Sequence, residues 1–172
     1  MSGDTTLEVD VLVEAELWSA IPEAGELVTR AVLAACVGAL SEYEIDIEGA
    51  EIAVKLTDDV AIRTLNRDWR GKDYATNVLS FPTPEMARAG GDPHLGDIAI
   101  AFETLEREAA AEGKPLGDHL AHLAVHGTLH LLGYDHEVPE EAEEMEAMER
   151  LVLAELGVPD PYAETEPVQQ TH

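Results

Sequence analysis

The chain has 172 residues, 45% of them apolar, enough for one core-forming domain. No apolar run approaches the roughly 20 residues that span a bilayer, and the opening Met1 to Thr6 lacks a basic region followed by an apolar one. This composition predicts neither a membrane helix nor a secretory signal and fits a cytoplasmic location, while a formal charge of -26 excludes a general polyanion-binding surface, whose affinity rests on neutralising phosphates.

Leu7 to Val13 alternates apolar and polar residues before turning apolar, the pattern of a strand. Gly25 to Leu40 carries Leu27, Val28, Ala31, Val32 and Ala35 at helical spacing and predicts a helix, with Cys36, the single cysteine, as a small buried hydrophobe. Tyr43 to Ile47 and Glu51 to Leu56 each alternate around Gly49 and predict two strands or one interrupted strand. Thr57 or Asp58 is placed to cap a helix running through Trp69. Asn77 to Phe81 predicts a short apolar strand closed by Pro82 and Pro84, and residues 82–94 predict an exposed loop. Gly96 to Ala101 is apolar enough for a strand buried on both faces.

Three helices are predicted next: Thr104 to Glu112, about Leu116 to Leu132, and about Glu140 to Leu156, ended by Gly113, Gly133 and Gly157. The fold class is therefore α/β in the mixed α+β sense, a single mixed sheet of about four strands covered by about five or six helices. Residues 1–158 are expected to form one domain, and the acidic tail 159–172 to be flexible.

The chemistry concentrates in His126-Gly127-Thr128-Leu129-His130-Leu131-Leu132-Gly133-Tyr134-Asp135-His136. His126 and His130 are four apart, so a helix sets both rings on one face, one turn apart, where they can converge on one cation. Gly133 suits a left-handed reversal that returns His136 as a third nitrogen. Three nitrogens leave one coordination position open, the arrangement of catalytic rather than structural zinc sites. His119 and His122 lie upstream on the same helix and are expected to be structural; His94 and His172 are expected to be solvated. Asp135 is placed either to orient an imidazole or to sit in an exposed turn. The spacing matches that of metzincin metallopeptidases, but their glutamate base is replaced by Gly127. The basic residues are uneven: Arg63, Arg67, Arg70 and Lys72 are four of the chain's ten and fall within ten positions.

The stretch His126 to His136 resembles the HGxLHLxGYDH signature of the YbeY family of bacterial metal-dependent endoribonucleases and rRNA maturation factors. Asn66 to Phe81 resembles the family's segment of arginine, Lys-Asp and Thr-Asn-Val-Leu-Ser-Phe, and Leu95-Gly96-Asp97-Ile98 resembles its Leu-Gly-Asp-Ile motif. The helix from Glu140 to Glu146 is also similar, so the likeness runs from about Leu56 to Leu156; Ala75 departs from it, standing where members often have proline.

The resemblance implies a mixed α/β fold, one Zn2+ or other divalent ion on His126, His130 and His136, and cleavage of single-stranded RNA. It further implies a role in 16S rRNA 3′-end maturation and late ribosome quality control, with the small ribosomal subunit, its proteins and an Era-type GTPase as partners. Arg70 matches the family's functional arginine, with Arg67 and Lys72 as weaker substrate contacts. Two other readings stay open: a metallopeptidase-like hydrolase, and a zinc-binding ribosome-assembly factor that does not cut.

Overall fold

The computed structural model describes residues 7–43, 49–91, 93–135 and 137–162. Four strands form one sheet: β1 (Glu8–Val13), β2 (Glu51–Thr57), β3 (Val78–Pro82) and β4 (His94–Ala101). Their order is β1-β2-β4-β3; β1, β2 and β4 run parallel and β3 is antiparallel to β4. The described helices are α1 (Ala24–Tyr43), α2 (Asp59–Arg70), the short α3 (Glu85–Ala89), α4 (Phe102–Glu112), α5 (Leu116–Leu131) and α6 (Pro139–Glu155). This is the expected mixed α/β architecture. Among the described residues no helix is long and apolar enough to cross a membrane.

β4 is apolar from Ile98 to Ala101 because it is an inner strand with a covered surface on each side. Ile98 and Ile100 point into the main core with Ile52, Val54 and Leu56 and residues of α1, α5 and α6, among them the fully buried Cys36, whose thiol is pushed up to about 12 by burial. Ala99 and Ala101 point the other way and pack with Leu79 and Ile62 under α2. α5 therefore lies on one face of the sheet and α2 on the other. Pro82 ends β3, an edge strand, where its missing N–H breaks no interior ladder.

α2 is capped by Asp58, whose side chain accepts from the Ala61 N–H at 2.9 Å, and is closed by Gly71 in the left-handed conformation (φ 72°). The Asn77 amide donates to Glu108 of α4, and the same carboxylate meets His119 Nε2 at 2.8 Å. His119 is thus structural, as expected.

Three expectations are corrected. Tyr43 ends α1 rather than opening a strand, since the buried row Ala35, Cys36, Ala39 carries the helix onward; the rest of that segment, 44–47, lies outside the described residues. The stretch 82–94 holds α3, whose Met86, Ala87 and Ala89 favour helix. His94 opens β4 half-buried, its Nε2 3.1 Å from Asp97 Oδ1.

Two glycines set how closely the layers approach. A Cβ on Gly96 would come within 2.5 Å of Leu131 Cδ2 and 2.7 Å of the Phe81 carbonyl oxygen. A Cβ on Gly127 would meet Ile98, Ser80 and Val78 side chains at 3.1–3.2 Å. Gly96→Ala and Gly127→Glu should each lower unfolding stability by about 1–3 kcal/mol or more, read as a fall in denaturant midpoint. A wild-type midpoint in either variant would contradict the packing described.

Candidate metal centre

α5 carries four histidines along one side at spacings of three, four and four residues. Ring centroids lie 5.9 Å apart for His119–His122, 6.3 Å for His122–His126 and 4.7 Å for His126–His130. α5 is held to the sheet where the site lies: the Ser80 hydroxyl on β3 donates to the Gly127 carbonyl at 2.8 Å.

Behind the rings stands Glu149 of α6, wholly buried on the apolar row Met145, Met148, Val152. Its Oε2 is 2.5 Å from His126 Nδ1, its Oε1 is 3.4 Å from His122 Nε2, and the Tyr162 hydroxyl donates to it. Burial alone would raise the carboxyl pKa, but the bonds from His122, His126 and Tyr162 outweigh it and hold the group at about 2. An ionised carboxylate only accepts, so His126 Nδ1 is the donor and Nε2 the basic nitrogen. His130 reaches the same state by another route. The chain turns after α5 at Gly133 (φ 106°), and the Tyr134 carbonyl lies 3.1 Å from His130 Nδ1. A carbonyl also only accepts, so His130 too has Nε2 as its ligand-type nitrogen. Outer partners that fix the tautomer in this way are the usual accompaniment of metal-binding histidines.

His122, His126 and Glu149 form a candidate metal-binding triad, with one ligand atom from each lying within 4.8 Å of the others. Two atoms bound tetrahedrally at zinc distances stand about 3.3 Å apart. The 2.5 Å between His126 Nδ1 and Glu149 is instead a short hydrogen bond. With Nδ1 of each ring turned to an acceptor, Nε2 of His126 and Nε2 of His130 are further nitrogens that could hold an ion, with Glu149 behind His126.

His136 lies outside the described residues. Asp135 is half-buried after the turn. Arg70, Arg67 and Lys72 sit at or just beyond the end of α2, on the sheet face opposite α5. Arg67 is paired with Asp68 at 3.1 Å, and Arg63 with Asp73 at 2.7 Å; among the described residues Arg70 and Lys72 carry no ion pair. Ser80 links the two sides: it borders the groove that Arg70 lines and also bonds α5 beside His126.

Sequence reasoning passed over Glu149 and Tyr162. The signal for Glu149 was present, a carboxylate in the apolar row of an amphipathic helix. Tyr162 had none, because its contact depends on the chain folding back after α6: the Tyr162 N–H donates to Asp160, and Arg150 stacks 5.3 Å from its ring.

Fold and site together define an α/β protein built around a helix-borne, carboxylate-braced histidine centre. A sequence model of the family described as Endoribonuclease YbeY matches residues 21–157, and the chain belongs to that family. An "Endoribonuclease YbeY" of Bradyrhizobium sp. (strain BTAi1) is 53% identical, covering 91% of this chain and 93% of the relative. The protein of that description from Azorhizobium caulinodans is 54% identical, covering 91% and 97%. A third, from Rhodopseudomonas palustris (strain CGA009), is 56% identical, covering 90% and 80%. A solution structure of TM1509 from Thermotoga maritima aligns at 25% identity over 91% of this chain and 99% of that one, with a TM-score of 0.47, which adds nothing to the assignment.

Glu149 makes a pH prediction. Its folded pKa of about 2 lies below the unfolded value of about 4.3, so its contribution is present above that value and drains as pH falls toward 2. Metal-free native protein should be more stable than Glu149→Gln by on the order of 3 kcal/mol at pH 7, the gap closing between about pH 4.5 and 2. Denaturant melts across that range check it, and a gap that ignores pH contradicts it.

Proposed function

We propose that the chain is a single-strand-specific, metal-dependent endoribonuclease, with Zn2+ on Nε2 of His126 and His130 and on His136. The observation that supports this is the pair of Nδ1 contacts, to Glu149 at 2.5 Å and to the Tyr134 carbonyl at 3.1 Å, which leave Nε2 as the ligand-type nitrogen of each ring. His136 enters through the resemblance of the signature. RNA as substrate is supported by the motifs and by the name its relatives carry. The same resemblance supports 16S rRNA 3′-end maturation, late quality control of the small ribosomal subunit in the cytoplasm, and partnership with an Era-type GTPase.

When bound, the ion supplies Lewis acidity to the scissile phosphodiester and lowers the pKa of a water toward about 7. The chain's residues do the rest. Glu149 and the Tyr134 carbonyl hold the imidazoles in one tautomer and orientation. Arg70, in the groove that Ser80 borders, pairs with a phosphate of the bound strand, with Lys72 and Arg67 as weaker backbone contacts.

A second site reading rests on the grouping of His122, His126 and Glu149, which would hold the ion instead. The metallopeptidase reading is opposed by Gly127, which supplies no glutamate base and is seated tightly on Val78, Ser80 and Ile98. The non-cutting assembly factor predicts metal without cleavage.

Metal content and cleavage of single-stranded RNA, measured together, separate these readings. His130→Ala should lose its ion and its activity, whereas His122→Ala should keep the ion. Arg70→Glu should keep the ion and lose about 100-fold or more in rate. Loss of metal in His122→Ala with retention in His130→Ala would move the site. A metal-loaded native protein that leaves RNA intact would overturn the nuclease.

A further inference from the structure

The groove on the α2 side of the sheet, about 690 Å³, is unlike the rest of this acidic surface. Its walls include Leu65, Trp69, Phe81 and Pro82, and its cations are Lys55 and Arg70. Trp69 is 73% exposed although it is the largest side chain on α2. Its ring is steadied by Phe81, centroids 6.4 Å apart and planes tilted by 59°. One side is thus anchored and much of the remainder faces solvent. An indole held this way on a helix end costs solvation without adding to the core, which is the usual mark of a recognition surface.

The charges give the occupant. Arg63 and Arg67 are neutralised by Asp73 and Asp68, while among the described residues Arg70 and Lys55 carry no ion pair. Asp97, the acidic group in the lining, is engaged by His94 at 3.1 Å. In a chain of net charge -26, unpaired cations beside an open aromatic face complement an anionic, aromatic ligand. Single-stranded RNA has both features: π-faces that stack on indole and phosphates that pair with guanidinium. A duplex has its faces occupied by stacking and offers the groove only charge.

We propose that this groove binds an unpaired segment of the RNA strand, one base stacked on Trp69 and the adjoining phosphate on Arg70. The inference rests on the nuclease reading for its ligand class and adds where the strand lies. Ser80, at the groove's border and bonded to α5, marks the β3 edge over which a strand seated here continues toward His126.

The chain's two tryptophans make this testable. Trp18 is 2% exposed with its Nε1–H on the Thr57 carbonyl, so it is silent to added ligand. The intact metal-bound protein is titrated with a ten-nucleotide single-stranded RNA and with its duplex, reading tryptophan emission within seconds of mixing. Single strands should quench emission and the duplex should not. Trp69→Ala should weaken binding of the labelled strand, read by anisotropy, about tenfold or more, and Trp69→Phe should restore most of it. Arg70→Gln should reduce the slope of log K against log salt by about 0.7, and Trp69→Ala should leave that slope unchanged. Single-strand binding with unaltered emission and a wild-type Kd in Trp69→Ala would overturn the groove while leaving the nuclease standing. Equal quenching by duplex, or no binding at all, would also overturn it. Quenching and tight binding in a protein that never cuts would keep the groove and discard the nuclease.

Discussion

The hydrogen bond between a wholly buried Glu149 and His126 is the constraint on which the rest of the site turns. A carboxylate moved into an apolar interior costs several kcal/mol unless donors surround it. Here His126, His122 and Tyr162 supply those donors from three places in the chain. The carboxylate stays ionised, and an ionised acceptor dictates which imidazole nitrogen carries the proton. The charge is therefore as much an instruction to the histidine as a burden on the core. It also ties α6 and the segment after it to α5, so the last described part of the chain helps build the site that the middle of the chain displays.

A second constraint comes from the backbone. α5 lies so close to β3 and β4 that a Cβ at position 127 would press on Ile98, Ser80 and Val78 at 3.1–3.2 Å, which favours glycine there. The Ser80 hydroxyl then reaches the Gly127 carbonyl, fixing the helix at the level of His126. The residue that distinguishes this signature from the metzincin pattern is thus first a packing residue. A side chain there would have to displace Ile98, Ser80 and Val78 by a few tenths of an ångström.

Legibility in the sequence followed the range of the interactions. β4 was readable because burial on both faces leaves a run of apolar residues, and α2 because Asp58 marks its start locally. The His126–His130 pair was readable because helical period alone brings the rings together. What was missed depends on contacts distant in sequence. Glu149 meets His126 across 23 positions, and Tyr162 meets Glu149 across 13. Neither separation has a period. The end of α1 was misjudged because alternation over a few residues competes poorly with a helix already propagating along a buried row.

The acidity of the chain becomes intelligible when charge and site are considered together. A surface of net charge -26 repels polyanions over distances comparable with the Debye length, about 8 Å at physiological salt, and so opposes nonspecific coating by RNA. What remains in the groove is short-range: Arg70 and Lys55, which carry no ion pair among the described residues, and one anchored aromatic face. Stacking is insensitive to that long-range field, because it acts only at contact and through a neutral ring. A strand that presents an unpaired base gains this contact, and a folded duplex does not. On the proposed reading, the negative surface and the aromatic groove would act in one direction, discriminating by strand exposure where a basic protein would bind RNA of any form.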